Sequence, residues 1–309
     1  MADQLNRSDV DVVSLQHEFG IFGGDAGRYI LDLIERLTKP LVTTFHTVFE
    51  SPQEPYRSIQ QSLTHRSNGL VVMSHIGVKY LQESFGVPTK KIFYIPHGTP
   101  LPPSEPRESL RRQLGWEGHP VIMTFGLLSR GKGIESVLAA LRRVIIQVPK
   151  VLYVIAGQTH PEVLKWEGET YRQELQQLIE QYGLSHHVVM LNRYLEDDDL
   201  VRLIAACDLY VTPYSGMSQI TSGTLAYAVG LGKPVLSTPY VYARDLLQDF
   251  NELLIPYGNI EAWSIQISKM LTDPSSLENW AQKMTRLGEG MHWPKVAKMY
   301  ANIFNQVCV

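Results

Sequence analysis

Short apolar runs alternate with longer amphipathic stretches along nearly the whole chain. In the first third, four runs are typical of buried strands, and they lie at residues 9–15, 40–45, 69–73 and 91–95. Between them, periodic stretches predict helices at residues 28–38, 53–67 and 75–85. Strands that alternate with helices indicate β-α-β units and a parallel sheet.

The same alternation resumes after a proline-dense stretch at residues 99–107, which we interpret as a linker between domains. The second series of strands is predicted at residues 121–126, 151–156, 188–191, 209–212, 234–237 and 252–255. Helices are predicted at residues 108–114, 134–146, 167–182, 196–206, 243–250, 261–271, 277–288 and 293–306. The pattern therefore predicts two α/β domains.

Length and composition agree with that organisation. A chain of 309 residues with 44% hydrophobic and 19% charged residues is typical of a globular protein of two domains. The formal net charge of −3 provides no general attraction to nucleic acid, so any phosphate site must be local. The two cysteines, Cys207 and Cys308, form no disulfide or metal-binding pattern, which fits a reducing cytoplasm.

The ends of the chain carry few targeting signals. The N-terminus is polar and does not have the pattern of a signal peptide, and no apolar run is long enough to span a membrane. Trp293, Tyr300 and Phe304 in the last helix could contact a membrane surface, but nothing else in the sequence supports this. We expect them to pack against the N-terminal domain instead.

The stretch at residues 211–239 is the first candidate for a binding site. It predicts a strand, a polar loop and an apolar helix that begins at Thr221-Ser222-Gly223-Thr224. Backbone N–H groups in the first turn of a helix have no partners within the helix, so they can bind an anion. The alternative interpretation is an ordinary capped helix, because Ser and Thr are common N-caps.

A second candidate lies in the turn at residues 126–133, between a strand and a helix. Its glycines, together with Arg130 and Lys132, predict a cradle for phosphate. The turn lacks the P-loop pattern, because Gly133 stands where that motif has Ser or Thr. A solvated basic turn is the alternative.

The first domain contributes candidates where two predicted strands end. His17 and Glu18 follow the first strand and lead into a glycine-rich loop with Gly23 and Gly24, while His46 follows the second strand. Ligands of open α/β sheets bind at these carboxyl ends of the strands. A structural loop histidine is the alternative interpretation for His17.

Several short motifs, in a consistent order and spacing, carry a resemblance to a known family. They are Thr43-Thr-Phe-His46, Ile95-Pro-His-Gly98, Phe125-Gly-Leu-Leu-Ser-Arg-Gly-Lys-Gly133, Ala156-Gly157, Tyr210-Val-Thr-Pro213, Gly230-Leu-Gly-Lys-Pro-Val235 and Trp293-Pro-Lys-Val-Ala297. The chain resembles the retaining GT-B glycosyltransferases of family 4, which contain the group 1 glycosyltransferase domain. The resemblance covers nearly all of residues 10–305.

The resemblance implies an α/β fold of the GT-B type, in which two Rossmann-like domains face each other across a cleft. The implied domains are residues 1–103 on the acceptor side, residues 104–290 on the donor side, and a final helix at residues 291–309 that packs back on the first domain. Family members usually have a further β-α-β stretch before this point, so we expect the N-terminal domain to be incomplete. Unpaired sheet edges would follow from that.

Donor-binding roles come from the resemblance, residue by residue. Lys132 matches the diphosphate lysine, and Arg130 would supply the charge of a family arginine whose place is taken by Leu127. The N–H groups of Thr221, Ser222, Gly223 and Thr224 would face the distal phosphate and the sugar. Arg193, Tyr194 and Leu195 fall where the family binds the nucleobase.

The resemblance also implies roles in the first domain. His46 matches the histidine that lies near the reacting sugar, and it is the catalytic candidate. His17, Gly23 and Gly24 are candidates for contacts to the acceptor or to the donor phosphate, and Glu18 is a candidate for contacts to the acceptor. The family uses no cofactor and no catalytic metal, so fixed cations and N–H groups must stabilise the departing diphosphate.

The chain departs from the family at the two positions of a characteristic glutamate pair. These positions hold Gln219 and Tyr227. The amide of Gln219 can bind a sugar hydroxyl but carries no charge, and Tyr227 cannot bridge two ribose hydroxyls as a carboxylate does. Gln219 therefore cannot act as a base.

The sequence favours a cytoplasmic, metal-independent hexosyltransferase. It would transfer a hexose, with retention, from a UDP- or GDP-sugar to a glycan or small-molecule hydroxyl. A glycoside phosphorylase that uses a sugar phosphate and a non-catalytic sugar-binding protein are the alternatives. A redox Rossmann enzyme is disfavoured, because no G-x-G-x-x-G motif follows a strand with a suitably placed acidic residue.

Overall fold

The structure is a computed structural model that describes residues 1–308. Its strands are β1 (Val13–His17), β2 (Leu41–Phe45), β3 (Gly69–Val72), β4 (Ile92–Tyr94), β5 (Val121–Phe125), β6 (Leu152–Ala156), β7 (Val188–Leu191), β8 (Leu209–Thr212) and β9 (Val235–Ser237). Its helices are α1 (Ala2–Arg7), α2 (Ile30–Arg36), α3 (Tyr56–Arg66), α4 (His75–Phe85), α5 (Arg107–Leu114), α6 (Ile134–Gln147), α7 (Pro161–Glu167), α8 (Thr170–Gln181), α9 (Asp197–Ala206), α10 (Gly223–Gly230), α11 (Val241–Leu246), α12 (Ile260–Thr272), α13 (Pro274–Gly288) and α14 (Trp293–Val307).

The first of two compact units comprises Met1–His97, Ser218–Thr221 and the end of the chain from Trp293. Its four parallel strands lie in the order β1-β2-β3-β4. Every residue of β2 and β3 is buried, as expected of parallel strands covered on both faces. Helix α14 packs on this sheet, where a cluster of buried apolar side chains comprises Val42, Val71, Ile95, Val296 and Ile303.

The second unit comprises Gly98–Met217 and Ser222–His292. Its five parallel strands lie in the order β7-β6-β5-β8-β9, so β5 and β8 are neighbours at the centre of the sheet. Parallel strands that run side by side end at the same edge of the sheet. The segments that follow β5 and β8 are therefore brought together, although they are far apart in the sequence.

Local sequence signals explain the helix ends. Ser74 is the N-cap of α4, and its hydroxyl accepts a hydrogen bond from the Gly77 N–H at 3.2 Å. Gly86 ends the same helix in the left-handed conformation, with a φ of 65°. Ser74 and Gly86 thus fix the two ends of α4.

Three predicted elements differ from the structure. The first strand begins at Val13 rather than at residue 9. The helix expected at residues 167–182 is α8, which begins at Thr170, and the sequence did not indicate the preceding helix α7; Gly168, with a φ of 61°, interrupts the helical backbone between them. The strand predicted at residues 252–255 was wrong: Asn251–Leu253 form a 3-10 helix, and only Leu254 makes a single bridge to Ser237.

Candidate active site

Four side chains meet at the carboxyl ends of β5 and β8, and we call them the lysine cluster: Lys132, Tyr214, Ser222 and Thr224. The Lys132 ammonium donates to the Tyr214 hydroxyl at 3.1 Å and lies 4.2 Å from the centroid of the Tyr214 ring. The Tyr214 and Thr224 hydroxyl oxygens are 2.6 Å apart, and those of Thr224 and Ser222 are 3.1 Å apart. One cation and three hydroxyl groups thus lie together.

Helix α10 begins at this cluster. Ser222 is its N-cap, and the Ser222 hydroxyl accepts a hydrogen bond from the Leu225 N–H at 3.4 Å. The cap uses one first-turn N–H group, and others in that turn have no partner within the helix. Ser222 therefore caps the helix, as the structural alternative holds, while the helix end keeps donors that an anion could use.

The turn that carries Lys132 depends on Gly133. This residue has a φ of 60°, and a Cβ atom there would collide with the Pro213 carbonyl oxygen. The glycine thus permits the turn after β5 to approach the backbone that follows β8. A larger residue would push apart the two segments that hold Lys132 and Tyr214.

Arg130 is engaged elsewhere in the second unit. It donates to both carboxylate oxygens of Glu174, at 2.7 and 2.8 Å, and to Glu167 at 3.1 and 3.2 Å. These hydrogen bonds raise the pKa of the Arg130 guanidinium above its ordinary value. The sequence predicted that the positive charge of Arg130 would bind phosphate. In the structure, the carboxylates of Glu167 and Glu174 already balance this charge.

The three residues expected near a nucleobase follow β7, at the edge of the sheet. Arg193 forms an ion pair with Asp199 at 3.3 Å, and Tyr194 is 65% exposed. Leu195 packs against the core. The exposed phenol ring of Tyr194 is therefore the surface that this segment offers to a planar ligand.

The two residues at the family's glutamate positions lie in different units. Gln219 donates its amide hydrogen to the Thr221 carbonyl oxygen at 2.7 Å, within its own loop. Tyr227 is half-buried on α10, with its ring centroid 6.3 Å from that of Phe125 at the end of β5. Gln219 thus supports its loop, and Tyr227 adds aromatic surface where the family has a carboxylate.

His17 lies in an aromatic enclosure in the first unit. Its side chain is fully buried, with ring centroids of Phe19, Phe22 and Phe45 at 4.9, 5.8 and 5.4 Å. Neither ring nitrogen has a hydrogen-bond partner within the described residues. Burial, with a smaller contribution from the charge of His46, lowers the pKa of His17 to about 4, so the ring is neutral at pH 7.

Glu18 and His46 lie beside this enclosure. The Glu18 carboxylate accepts hydrogen bonds from the Phe19 N–H and the Thr47 hydroxyl, both at 2.8 Å. His46 is half-buried, and its Nε2 lies 3.0 Å from the Gln16 side-chain oxygen. Burial lowers the pKa of His46, although the Glu18 charge acts in the opposite direction. Of these two histidines, His46 is the less buried.

Gly23 and Gly24 form a loop with φ values of 72° and 70°. Cβ atoms here would crowd the Tyr29 ring and, at Gly24, also the Arg28 side chain. Both glycines thus allow Tyr29 to lie against the backbone of the loop. The structure gives them a packing role in addition to any contact with a ligand.

The sequence did not indicate Tyr214 or Gln16. In the structure, Tyr214 contacts Lys132 and Gln16 contacts His46. Tyr214 stands two residues after β8, the exit of a central strand, and that location was the available signal. Gln16 lies on the exposed side of β1, one residue before His17. Its contact with His46 follows from the parallel register in which β1 lies beside β2.

Within residues 1–308, no helix is long and apolar enough to cross a membrane. No group of three or more His, Cys, Asp or Glu side chains there is arranged to hold a metal ion.

Comparison with known proteins identifies several relatives of this chain. Spore coat protein SA of Bacillus subtilis (strain 168) is 22% identical over 206 residues, which are 65% of this chain and 52% of that protein. The GDP-mannose:glycolipid 4-beta-D-mannosyltransferase of Xanthomonas campestris pv. campestris is 31% identical over 116 residues, 38% of this chain and 29% of that protein. The chain thus spans about half the length, or less, of these curated relatives.

Among solved structures, Anabaena HepE in complex with UDP and glucose has a similar fold. It is 20% identical, with a TM-score of 0.75 over 96% of this chain and 77% of that one. The α/β fold of the GT-B type, expected from the sequence, is confirmed.

The model of Glycosyltransferase Family 4 matches residues 1–101, and that of Glycosyl transferases group 1 matches residues 106–286. The second match alone covers more than half of the chain, and the protein therefore belongs to the group 1 glycosyl transferases.

Proposed function

We propose that this protein is a retaining hexosyltransferase. Its donor is a nucleoside-diphosphate sugar, and its acceptor is a hydroxyl group of a glycan or a small molecule. The lysine cluster carries the proposal, because it combines a cation, three hydroxyl groups and the start of α10 at the carboxyl ends of two central strands. Anionic ligands bind at such strand ends and helix starts.

The departing group in this reaction is a nucleoside diphosphate. Negative charge develops on its distal phosphate as the bond to the sugar breaks. The Lys132 ammonium is assigned to that charge, and the Ser222 and Thr224 hydroxyls and the α10 N–H groups are assigned as hydrogen-bond donors. Preorganised donors of this kind stabilise the transition state without a metal ion.

The bond changes follow from transfer on one face of the sugar. The bond between the anomeric carbon and the phosphate oxygen breaks, and the acceptor oxygen bonds to the same carbon from the same face. The acceptor proton passes to the departing phosphate oxygen. His46 is assigned to a hydroxyl of the transferred hexose, and the loop with Gly23 and Gly24 to the acceptor.

The identity of the donor rests on two kinds of support. The relative from Xanthomonas is named for a GDP-mannose donor, and the solved Anabaena protein holds UDP and glucose. In this chain, the exposed Tyr194 ring provides a surface on which a nucleobase can stack, and Arg193 and Leu195 flank it. We therefore assign UDP- or GDP-hexose as the donor class.

The phosphorylase alternative is motivated by Tyr227. A tyrosine that faces Phe125 offers no carboxylate to ribose hydroxyls, which a sugar-phosphate donor would not need. Titration calorimetry with UDP, GDP and inorganic phosphate separates the two functions. The hexosyltransferase binds a nucleoside diphosphate more tightly than phosphate, whereas binding of phosphate alone would replace the proposal with the phosphorylase.

A further inference from the structure

A hydrogen-bonded line of three side chains leads to His46 in the first unit. The Tyr300 hydroxyl oxygen lies 3.0 Å from that of Thr44. The Gln16 amide donates to the same Thr44 oxygen at 3.3 Å. At its other end, the Gln16 carbonyl oxygen lies 3.0 Å from His46 Nε2. The line joins β1, β2 and α14, so it ties His46 to the sheet.

The orientation of the Gln16 side-chain amide determines which ring nitrogen of His46 carries the hydrogen. A side-chain carbonyl oxygen can only accept a hydrogen bond, so His46 Nε2 must carry a hydrogen. A neutral imidazole has one N–H, and Nδ1 then has a free lone pair. An amide turned the other way would donate to Nε2 and favour the opposite tautomer.

The surroundings of His46 favour the neutral ring. Burial lowers its pKa, and His17 beside it is itself buried and neutral at pH 7. The Glu18 carboxylate raises the pKa of His46, but both of its oxygens already accept hydrogen bonds, from the Phe19 N–H and the Thr47 hydroxyl. The tautomer is therefore the state of His46 that matters near neutral pH.

We propose that Gln16 is a positioning residue that holds neutral His46 as the Nε2–H tautomer and leaves Nδ1 to accept a hydrogen bond from a donor-sugar hydroxyl. The identity of that hydroxyl donor rests on the proposed function. The tautomer itself does not, because the line Tyr300, Thr44 and Gln16 belongs to the folded first unit. The choice of tautomer selects for a ligand that donates at this point and against one that only accepts.

Long-range proton–nitrogen NMR spectra of the full chain with 15N-labelled histidine test the tautomer. His46→Gln identifies the signals. The expected wild-type spectrum at pH 8 has a protonated Nε2 and an unprotonated Nδ1. Gln16→Leu removes the acceptor and should shift both nitrogens toward a mixture of tautomers, whereas Gln16→Glu keeps an acceptor oxygen and should retain Nε2–H.

Gln82→Met is the matched control. Gln82 also donates its amide to a threonine hydroxyl, that of Thr89 at 2.9 Å, but it makes this contact on the exposed end of α4. This variant should leave the His46 signals unchanged. In a transfer assay, Gln16→Leu should lower kcat about tenfold, and Gln16→Glu should restore part of it.

Two results would overturn the inference: a wild-type His46 with the hydrogen on Nδ1, or identical His46 spectra in the wild type and Gln16→Leu. The spectra are read without substrate, so they stand whether or not the protein transfers a hexose. If no transfer is found but the expected tautomer is, the proposed function is contradicted and this inference stands. If transfer is normal but the opposite tautomer is found, this inference is contradicted and the proposed function stands.

Discussion

The Lys132 ammonium donates a hydrogen bond to the hydroxyl of Tyr214, a residue 82 positions later in the chain. Tyr214 is almost fully buried, at 1% exposure, so its ring and hydroxyl are fixed by the core of the second unit. The flexible lysine side chain is thereby held over a rigid partner. A cation positioned in advance stabilises developing charge better than one that must first be ordered.

Replacement of Lys132 tests the charge directly. Lys132→Ala should lower kcat/KM for a nucleotide sugar by about 10²- to 10³-fold, because the charge on the departing diphosphate loses its cation. Arg130→Ala is the matched control from the same turn. Since Arg130 is exposed and paired with Glu167 and Glu174, its loss should change kcat/KM by about threefold or less. Equal losses in the two variants would contradict this assignment.

The Tyr214 hydroxyl should matter separately from its ring. Tyr214→Phe leaves the ring under Lys132 but removes the hydrogen bonds to Lys132 and Thr224, and we expect kcat/KM to fall about five- to tenfold. Tyr171→Phe serves as the control, because it removes another buried hydroxyl of this unit, bonded to Glu135 at 2.7 Å. Both variants should lose about 1 kcal/mol of unfolding free energy, but only the first should lose activity.

The turn at Gly133 should be intolerant of a side chain. Gly133→Ala must accommodate both a φ of 60° and a collision with the Pro213 carbonyl oxygen. Gly86→Ala has nearly the same backbone strain, with φ and ψ of 65° and 24° against 60° and 25° at Gly133, but open space around the new atom. Denaturant unfolding should show a loss of about 1 kcal/mol for Gly86→Ala and about 3 kcal/mol for Gly133→Ala. Similar losses would show that the approach to Pro213 imposes no constraint.

His17 should make the folded state sensitive to acid. Its pKa is lowered from 6.5 to about 4 in the folded protein, so the unfolded chain binds the proton more readily between these values. The free energy of unfolding should therefore fall as the pH decreases, by roughly 2 to 3 kcal/mol between pH 7.5 and pH 4.5 from this residue alone.

His17→Leu isolates that contribution. The variant has no titratable group in the enclosure of Phe19, Phe22 and Phe45, so its unfolding free energy should depend less on pH by that amount. Denaturant unfolding of both proteins at the two pH values provides the comparison. Equal pH dependence in the two proteins would mean that His17 is protonated as easily in the folded state as in the unfolded chain.

The sequence predicted the architecture because the signals for it are local. Apolar runs such as Leu41–Phe45, capping residues such as Ser74, and glycine-containing turns each act over a few neighbouring residues. The strand ends that carry Lys132 and His46 followed from the same signals. The order of strands in each sheet then placed the carboxyl ends of β5 and β8 side by side.

The partners of these side chains could not be predicted in the same way. Arg130 pairs with Glu167 and Glu174, which lie 37 and 44 residues away, and Thr44 contacts Tyr300 across 256 residues. Such contacts depend on the three-dimensional packing of helices on the sheet. The sequence therefore identified Arg130 as a cation but not the two carboxylates that compensate it.

Hydrolysis of a nucleotide sugar, followed by proton NMR, tests the central claim most directly, because water can replace the unknown acceptor. The protein is incubated with UDP- and GDP-hexoses, and the anomer of the first hexose released is recorded before it equilibrates, with Lys132→Ala as the control. A retaining hexosyltransferase releases the nucleoside diphosphate together with a hexose of the same anomeric configuration as the donor, and Lys132→Ala does so far more slowly. Release of the inverted anomer would contradict retention, and release at equal rates by the two proteins would contradict the lysine cluster as the donor site.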